Sequence, residues 1–307
     1  MYKNFEERLL SILSPEQIKR KEPLAKHTTF RIGGPADYFL SPGDGEQVGK
    51  ILQLCKELKI PYYIMGNGSN ILAGDQGFSG VIIHVGKEMD TFSYELQEDG
   101  SARICAGAGI LLSKLSKKAA ELSMTGLEFA GGIPGTLGGA VTMNAGAYGG
   151  EMKDCITCAK VMDSEGRIRT LQAEELELGY RSSIIQKEQW IVLEAEFLVK
   201  PGQREKILAT MEDFQQRRKD KQPLEYPSAG STFKRPEGYF AGKLIEDAGL
   251  KGYRVGDVMV SDKHCGFVVN VGQGTARDAH CVIEDVTRIV YEKFQVHLEP
   301  EVRFLGQ

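Results

Sequence analysis

Apolar residues recur at helical spacing in several parts of the chain, and these parts predict amphipathic helices. The pattern is clear over residues 44–60, where Asp44 is placed to cap the N-terminus of the helix. The same spacing predicts helices over residues 4–20, 110–124, 203–223, 239–249 and 275–296. In the last of these we predict that one apolar stripe faces the core: Ala279, Val282, Val286, Ile289 and Val290.

Short apolar runs between the helices predict β-strands. They lie at residues 61–66, 80–85, 102–109, 189–201 and 266–271, and residues 155–171 predict a hairpin. Residues 24–42 are predicted to be extended. The helix at 44–60 and its neighbouring strands form a β-α-β pattern. A loop at 66–70 follows one strand end, which is where open α/β sheets usually bind ligands.

Glycine is enriched, with 36 of 307 residues, and it clusters in two loops that carry no charge, residues 66–70 and 131–140. Small residues let successive backbone N–H groups converge on an anion. Two such loops in one α/β region predict a cofactor that carries a diphosphate, and tight turns alone are the alternative. Residues 126–152 contain too much glycine to predict a regular helix or strand.

Neither loop matches a common nucleotide-binding motif. Gly66 and Gly68 fit the dinucleotide fingerprint, but Ile71 stands where the third glycine belongs. Residues 238–243 resemble a phosphate-binding P-loop, but they are one residue short and are followed by Leu244 instead of Ser or Thr. A nucleotide hydrolase is therefore disfavoured.

The net charge of −4 and the pI of about 5.9 give no indication of a nucleic-acid partner or of membrane insertion. Residues 1–20 lack the apolar core of a signal peptide. Six cysteines in a chain of this size favour a reduced, cytoplasmic protein over a disulfide framework. Cys155 and Cys158 form a C-x-x-C pair in the predicted hairpin, where core packing is favoured over zinc or redox chemistry, and no metal is predicted.

The segment YPSAGSTFKRP, residues 226–236, places Ser231 between a glycine and a Thr-Phe pair. The hypotheses for this serine are a nucleophile, a phosphate ligand and a turn residue. A nucleophile needs an adjacent base and commonly a G-x-S-x-G elbow. The segment has no such pattern and no histidine nearby in sequence, so a nucleophile is disfavoured.

Six motifs occur in a fixed order: HTTFRIGGPADYF, GNGSNIL, GGIPGTLGGAVTMNAGAYGGE, GYRSS, SAGSTFKRP and LEPEVRFLG. Together they resemble the UDP-N-acetylenolpyruvoylglucosamine reductases (MurB) from about residue 24 to the C-terminus. The resemblance implies an α+β protein with an FAD-binding fold of the vanillyl-alcohol oxidase (PCMH) type and a C-terminal α+β substrate-binding domain.

The resemblance also implies a domain organisation. We expect an N-terminal helix and lead-in at residues 1–30 and an FAD-binding domain at 31–200, with two subdomains split near 75–80. A substrate-binding domain is expected at 201–307, with its C-terminal strand returning to the active site. No room remains after Arg181 for the long tyrosine-bearing insert of some relatives, so the chain resembles the shorter subtype.

The implied reaction reduces UDP-N-acetylglucosamine enolpyruvate to UDP-N-acetylmuramate in peptidoglycan biosynthesis. NADPH reduces FAD, and the hydride then passes to the vinyl carbon while a proton reaches the α-carbon. By resemblance, Ser231 is the proton donor, Arg181 holds the substrate carboxylate, and Glu301 is the catalytic carboxylate. Glu299 is a rival to Glu301, which we assign on motif register alone.

The resemblance implies that FAD is held non-covalently; His27 is the only histidine near an early flavin-type motif. The predicted cofactor-binding residues are Gly66, Asn67, Gly68, Ser69, Asn70, Ile71, Gly132, Ile133, Pro134, Gly135, Thr136, Gly138, Gly139, Ala140, Asn144, Ala145 and Gly146. The predicted substrate contacts are Arg217, Lys221, Lys234, Arg235 and Lys243. Arg235 departs from the family, since many relatives have asparagine there.

Some alternatives stay open. Tyr239 and Tyr253 are the candidates for covering the uridine. A different flavoprotein oxidase of the same fold and a binding module without turnover are the rival functions. We expect a monomer.

Overall fold

The structure is a computed structural model, and it describes residues 3–306. Within these residues the α-helices are α1 (Lys3–Leu10), α2 (Gly45–Glu57), α3 (Leu112–Glu121), α4 (Leu137–Thr142), α5 (Ile184–Lys187), α6 (Arg204–Lys221), α7 (Ala241–Asp247) and α8 (Ala276–Phe294). No helix in this described range combines the length and apolar character needed to cross a membrane.

The β-strands of residues 3–306 are mostly short. They are β1 (Ile18–Pro23), β2 (Pro35–Leu40), β3 (Tyr62–Met65), β4 (Ile71–Ala73), β5 (Phe78–His84), β6 (Phe92–Leu96), β7 (Ala102–Gly107), β8 (Met124–Thr125), β9 (Gly146–Ala147), β10 (Gly150–Glu151), β11 (Ile156–Met162), β12 (Ile168–Gln172), β13 (Ile191–Pro201), β14 (Ser228–Ser231), β15 (Arg254–Val255), β16 (Val258–Val260), β17 (Phe267–Asn270) and β18 (Arg303–Leu305).

The chain divides into two compact units, each built from separate segments. Unit 1 consists of Met1–Arg20, Tyr38–Asn67 and Gly80–Gln216. Unit 2 consists of Lys21–Asp37, Gly68–Ser79 and Arg217–Gln307. The predicted domain limits, which are continuous in sequence, stay a prediction. Residues 1, 2 and 307, which belong to the first and last predicted domains, lie outside the described residues.

The first sheet lies mainly in unit 1 and has the strand order β1-β2-β5-β3, with β3 parallel to β5. α2 lies between β2 and β3 in sequence. Its N-cap is Asp44, whose carboxylate accepts a hydrogen bond of 2.8 Å from the N–H of Gln47. Val48 and Ile51 of α2 are buried in the core. The predicted β-α-β pattern and its cap are confirmed.

The N-terminal helix is shorter than predicted. α1 ends at Leu10, and a single 3-10 turn at Pro15–Gln17 leads directly into β1. The backbone of Ser14 is extended, with φ −72° and ψ 157°. A residue before proline is pushed out of the helical region, so Pro15 separates the two elements. The prediction of one helix over residues 4–20 was wrong.

The second sheet of unit 1 has the order β12-β11-β13-β7-β6, and its neighbouring strands are antiparallel. The β11–β12 pair confirms the predicted hairpin. At its turn, the buried carboxylate of Asp163 accepts hydrogen bonds from Glu165, Arg167 and Arg169. Burial by itself raises the pKa of Asp163, but the hydrogen bonds and the Arg167 charge lower it to about 2.

The glycine-rich segment 126–152 is more regular than predicted. Glu128–Gly132 forms a 3-10 helix, and α4 follows at Leu137. A Cβ on Gly138 would lie 3.1 Å from the Cβ of Ala108, so glycine lets α4 pack closely against the chain there. Glycine costs about 1 kcal/mol in a helix relative to alanine. We infer that this close packing offsets the cost, and the prediction of no regular element was wrong.

Unit 2 contains the four-stranded sheet β14-β17-β16-β15 and the long helix α8. The predicted stripe on α8 is confirmed as core: Ala279, Val282, Val286 and Val290 are buried, and Ile289 packs against them partly buried. The carboxylate of Asp75 accepts hydrogen bonds from Ala276 and Arg277 at the first turn of α8, at 2.8 and 3.1 Å. It therefore fixes the start of this helix.

Candidate active site

Gly66 and Asn67, which begin the first glycine loop, contact the second glycine loop within unit 1. The side-chain Nδ2 of Asn67 donates a hydrogen bond of 2.8 Å to the carbonyl of Pro134. A Cβ on Gly66 would lie 2.2 Å from the Oγ1 of Thr136. Any larger residue at position 66 would collide with Thr136 in its present position. This close approach is the physical reason for the glycine at position 66 of the motif.

The second loop is held by backbone hydrogen bonds at the start of α4. The N–H groups of Leu137 and Gly138 donate to the carbonyls of Ile110 and Ala108, at 2.9 and 2.8 Å. The N–H of Leu112 donates to the carbonyl of Gly135 at 3.0 Å. These three hydrogen bonds attach the loop to residues 108–112 of the same unit.

The donor set of these loops suits FAD. Residues 129–147 carry no charged side chain, and Asn67 and Thr136 add a polar amide and a hydroxyl. Gly68 has a φ of +61°, a conformation that favours glycine. Small neutral residues and backbone N–H groups are what a diphosphate needs for close approach. The loops therefore fit the predicted cofactor.

Asn70, predicted to bind the cofactor, makes its observed contacts inside unit 2. Its Nδ2 donates to the carbonyl of Glu301 at 3.0 Å, and its own carbonyl accepts from the N–H of Arg303 at 2.9 Å. Ile71 then pairs with Arg303 in the parallel ladder of β4 and β18. The end of the first loop and the segment of Glu301 are therefore bonded to each other.

Arg181 lies in a tight turn of unit 1, in which Gly179 and Ser182 form an antiparallel bridge. Its φ is +52°, and its side chain is half-buried. The guanidinium carbon lies 5.3 Å from the ring centroid of Tyr180, a cation–π distance. The turn thus presents the arginine in a conformation that a non-glycine residue rarely adopts without support.

Ser231 ends β14 at a β-bulge. Ser228 pairs with Val269 and Ser231 with Phe267, so three steps along β14 match two along β17. Gly230 lies inside the bulge with a φ of +78°. Bulges re-aim side chains, and Ser231 is exposed here.

The histidine nearest to Ser231 in sequence is His264. The Nδ1 of His264 accepts a hydrogen bond of 3.0 Å from the N–H of Gly266. Burial lowers the pKa of His264, which favours the neutral ring.

Glu301 lies directly beside the segment of Ser231. Its N–H donates to the carbonyl of Thr232 at 2.8 Å, and Phe233 forms a bridge with Pro300. Thr232 is buried, and its Oγ1 accepts from the N–H of Val268 at 2.9 Å. Thr232 was not singled out from the sequence, where a Ser-Thr pair gives no sign of which hydroxyl is internal.

Two cations follow Ser231 in unit 2. Lys234 forms an ion pair with Glu299, whose side chain is 69% exposed. The exposed guanidinium of Arg235 lies over the ring of Phe240, at 4.0 Å from its centroid. Glu299 and Glu301 thus differ in setting: Glu299 is an exposed partner of a lysine, whereas Glu301 is half-buried beside Thr232.

The remaining predicted substrate contacts are exposed. Lys243 forms an ion pair with Asp247 one turn later in α7, and this hydrogen bond and the Asp247 charge raise the pKa of Lys243. Arg217 and Lys221 are four residues apart near the end of α6, so they lie on one face of the helix. Both side chains are exposed at the surface.

The two tyrosine candidates differ in their contacts. The hydroxyl of Tyr253 donates to Asp285 at 2.6 Å, and its ring packs partly buried against the core of unit 2. The hydrogen bond to Asp285 is the main cause that raises the pKa of Tyr253. Tyr239 is exposed. Of the two, Tyr239 is the one whose ring lies open to a ligand.

All six cysteines are free. Cys155 is buried in the core of unit 1, and burial raises the pKa of its thiol to about 12. Core packing is therefore confirmed for Cys155, while Cys158 is half-buried. Residues 3–306 contain no group of three or more His, Cys, Asp or Glu side chains arranged to hold a metal ion.

Two family models match the chain. The FAD binding domain matches residues 36–172, and the C-terminal domain of UDP-N-acetylenolpyruvoylglucosamine reductase matches residues 222–305. The UDP-N-acetylenolpyruvoylglucosamine reductase of Lachnoclostridium phytofermentans is 56% identical over 299 residues, covering 97% of this chain and 96% of that protein. The chain belongs to the UDP-N-acetylenolpyruvoylglucosamine reductase (MurB) family. It is therefore an FAD-binding oxidoreductase of peptidoglycan synthesis.

A solved structure supports the same family. The reductase (MurB) of Thermus caldophilus has a TM-score of 0.78 and 36% identity, covering 94% of this chain and 99% of that chain. Alkyldihydroxyacetonephosphate synthase shares the fold alone, with a TM-score of 0.51 and 19% identity over 66% of this chain and 41% of that chain. With the family models, these similarities confirm the predicted fold class.

Proposed function

We propose that this reductase uses NADPH to convert UDP-N-acetylglucosamine enolpyruvate to UDP-N-acetylmuramate. It is then a UDP-N-acetylmuramate dehydrogenase with NADP⁺ as the acceptor in the reverse direction. The observation that carries the proposal is the pairing of the Ser231 and Glu301 segments through the hydrogen bond from Glu301 to Thr232. Reduction of an enol ether requires an acid at the α-carbon, and an exposed hydroxyl beside a carboxylate segment meets that requirement.

When bound, FAD would supply hydride chemistry for the terminal vinyl carbon, with NADPH as the reductant. We propose that the two glycine loops hold FAD without a covalent bond. The contact of Gly66 with Thr136 and the neutrality of both loops support this proposal. His27, the histidine considered for a covalent link, lies 2.9 Å from Glu22, measured from Nε2 to Oε1.

The chemistry at the substrate is divided among three side chains. The guanidinium of Arg181 binds the substrate carboxylate and the charge that develops on it, a task that suits its planar fork. The Ser231 hydroxyl donates its proton to the α-carbon. A hydroxyl is a weak acid, but the carbanionic carbon is a strong base, so the transfer runs downhill. Glu301 polarises the carboxylate or carries its proton.

The nucleotide part of the substrate requires cations for two phosphates. Arg217, Lys221, Lys234, Arg235 and Lys243 are the proposed contacts. The exposure of Arg217 and Lys221 on one face of α6 supports their assignment.

The shorter subtype is proposed because only the four-residue helix α5 intervenes between Arg181 and β13. In it, the exposed Tyr239 is the better candidate for covering the uracil ring, because Tyr253 is bonded to Asp285.

We also propose a monomer that acts in the cytoplasm. The six free cysteines are compatible with a reducing compartment. Sedimentation of the FAD-loaded protein tests the oligomeric state.

Two absorbance steps test the function. Under anaerobic conditions, NADPH should bleach the flavin absorbance of the purified enzyme, and the enolpyruvyl substrate should then restore it. Bleaching without restoration would refute the assigned substrate. Denaturation should release free FAD, and flavin retained on the chain would favour an oxidase of the same fold.

The variant Ser231→Ala tests the proton donor. Reduction of the flavin by NADPH should stay close to the wild-type rate, because the serine has no part in that step. The second half-reaction should slow by about a hundredfold to ten-thousandfold, the usual contribution of a positioned acid. Stopped-flow absorbance separates the two steps, and equal losses in both would argue against the donor role.

A further inference from the structure

The side chain of Asn144 is fully engaged inside unit 1. Asn144 is buried and has a φ of +43°. Its Nδ2 donates to Oε2 of Glu151 at 2.6 Å and to the carbonyl of Gly179 at 3.0 Å. Its Oδ1 accepts from the N–H of Lys153 at 3.0 Å. Both amide hydrogens are therefore used within the protein, although the sequence position predicted a cofactor contact.

The bond to Gly179 reaches the first residue of the Arg181 turn. In that turn the N–H of Gly179 donates to the carbonyl of Ser182 at 3.1 Å, and the N–H of Ser182 donates back at 3.3 Å. Between them Arg181 takes the left-handed conformation, which costs energy for a residue with a Cβ. Such a turn persists only where its surroundings hold it.

The other end of the turn is tied to the same place. The hydroxyl of Ser183 donates to the carbonyl of Thr142 at 2.7 Å and also accepts from the N–H of Gln186, which caps α5. Thr142 is the last residue of α4, and Asn144 lies two residues beyond it. Both ends of the Arg181 turn are thus hydrogen-bonded to the C-terminal end of α4.

We propose that Asn144 is a positioning residue for Arg181, acting through its hydrogen bond to the Gly179 carbonyl. α4 begins at the second glycine loop and ends two residues before Asn144. One short helix therefore connects the loop to the turn that carries the arginine. The inference rests on the proposed role of Arg181 as the ligand of the substrate carboxylate. It concerns the placement of the guanidinium and requires no contact of Asn144 with substrate.

The variant Asn144→Gly removes the amide and keeps a residue that tolerates a positive φ. In the FAD-loaded protein we expect the dissociation constant of the enolpyruvyl substrate, measured by calorimetry with oxidised enzyme, to rise at least tenfold. The second half-reaction should slow by a similar factor. A comparable loss in the reduction by NADPH would show that the variant disturbs the flavin site, and it would contradict a route through Arg181.

A double-mutant cycle with Arg181→Ala separates positioning from general destabilisation. If Asn144 acts through Arg181, Asn144→Gly should have almost no further effect on substrate binding once Arg181 is alanine. The matched control is Asp163→Asn, which removes the charge of a buried, hydrogen-bonded carboxylate elsewhere in unit 1 and should leave the substrate dissociation constant unchanged. Thermal unfolding records the loss of stability in each variant.

The outcomes are distinct. If Arg181→Ala weakens substrate binding and Asn144→Gly weakens it by the same factor with or without Arg181, Asn144 does not act through the arginine. If Arg181→Ala itself leaves binding and the second half-reaction unchanged, the proposed role of Arg181 fails, and the inference fails with it. Should Asn144→Gly not fold, Asn144→Asp replaces it in the cycle, because aspartate keeps the acceptor for Lys153 and loses both donors.

Discussion

Replacing Gly230 by alanine tests whether the bulge in β14 orients Ser231. Gly230 has a φ of +78°, and a Cβ built on it has the carbonyl oxygen of Ser69 as its nearest neighbour, at 4.0 Å. Space is therefore not the obstacle. The cost comes from the left-handed backbone, which is about 1–2 kcal/mol for a residue with a Cβ.

The chain can relieve this strain by removing the bulge. Without the extra residue between Ser228 and Ser231, the pairing with β17 shifts by one position, and a one-residue slip turns a side chain to the opposite face of the sheet. Ser231 would then point away from its present direction. We expect the second half-reaction to slow by about a hundredfold or more, while reduction by NADPH changes little.

Gly249→Ala provides the matched control. Gly249 also has a φ of +78°, lies in unit 2, and has no atom within 4 Å of a built Cβ. Urea unfolding should show a similar loss of stability for both variants, and stopped-flow absorbance should show a slow second half-reaction for Gly230→Ala only. If Gly230→Ala loses stability and keeps the wild-type rate, the bulge does not orient Ser231.

Two further predictions concern carboxylates. Glu301→Gln should slow the second half-reaction by about a hundredfold or more. Glu299→Gln should leave it near the wild-type rate, because Glu299 is exposed and paired with Lys234. Equal losses of rate in stopped-flow absorbance would contradict the assignment of Glu301 as the catalytic carboxylate. Asp163→Asn should lower the free energy of unfolding at neutral pH, where the charged carboxylate accepts its hydrogen bonds. Because the folded pKa of about 2 lies below the ordinary 3.8, this contribution is present above pH 3.8 and is lost as the pH falls toward 2. The urea midpoints of the variant and the wild type should therefore approach each other as the pH falls toward 2. A difference between the two midpoints that does not change with pH would refute the reasoning.

The long amphipathic helices could be predicted because their local pattern and their packing agree. Asp44 caps α2 as its position indicated, and the stripe of α8 is buried. α4 could not be predicted, because its glycines are poor helix formers. Glycine at position 138 lets α4 approach Ala108, which lies 30 residues earlier in the sequence. Helix propensity describes a residue alone, whereas this helix depends on a close approach between two segments.

Contacts between distant segments also limited what the sequence could predict about the candidate site. Motifs located the loops, the arginine and the serine, but they gave no information on which polar groups are bonded inside the protein. Asn70 bonds to a carbonyl 231 residues later, and Asn144 bonds to one 35 residues later. Sequence spacing does not encode such pairings. Their predicted contacts with the cofactor stay predictions, and both amides have structural partners that the motifs did not indicate.

The position of Glu301 is set by its backbone, and this determines what a substitution there measures. Its N–H is bonded to Thr232, its carbonyl is bonded to Asn70, and β18 begins two residues later. These bonds do not involve the carboxylate, so glutamine at position 301 should keep the same backbone and the same Cα–Cβ direction. A loss of rate in Glu301→Gln, with substrate binding retained, would then report a change at the side chain and not a displaced backbone. Ser231 lacks this advantage, because its direction depends on the bulge at Gly230, and the two variants therefore test different parts of the site.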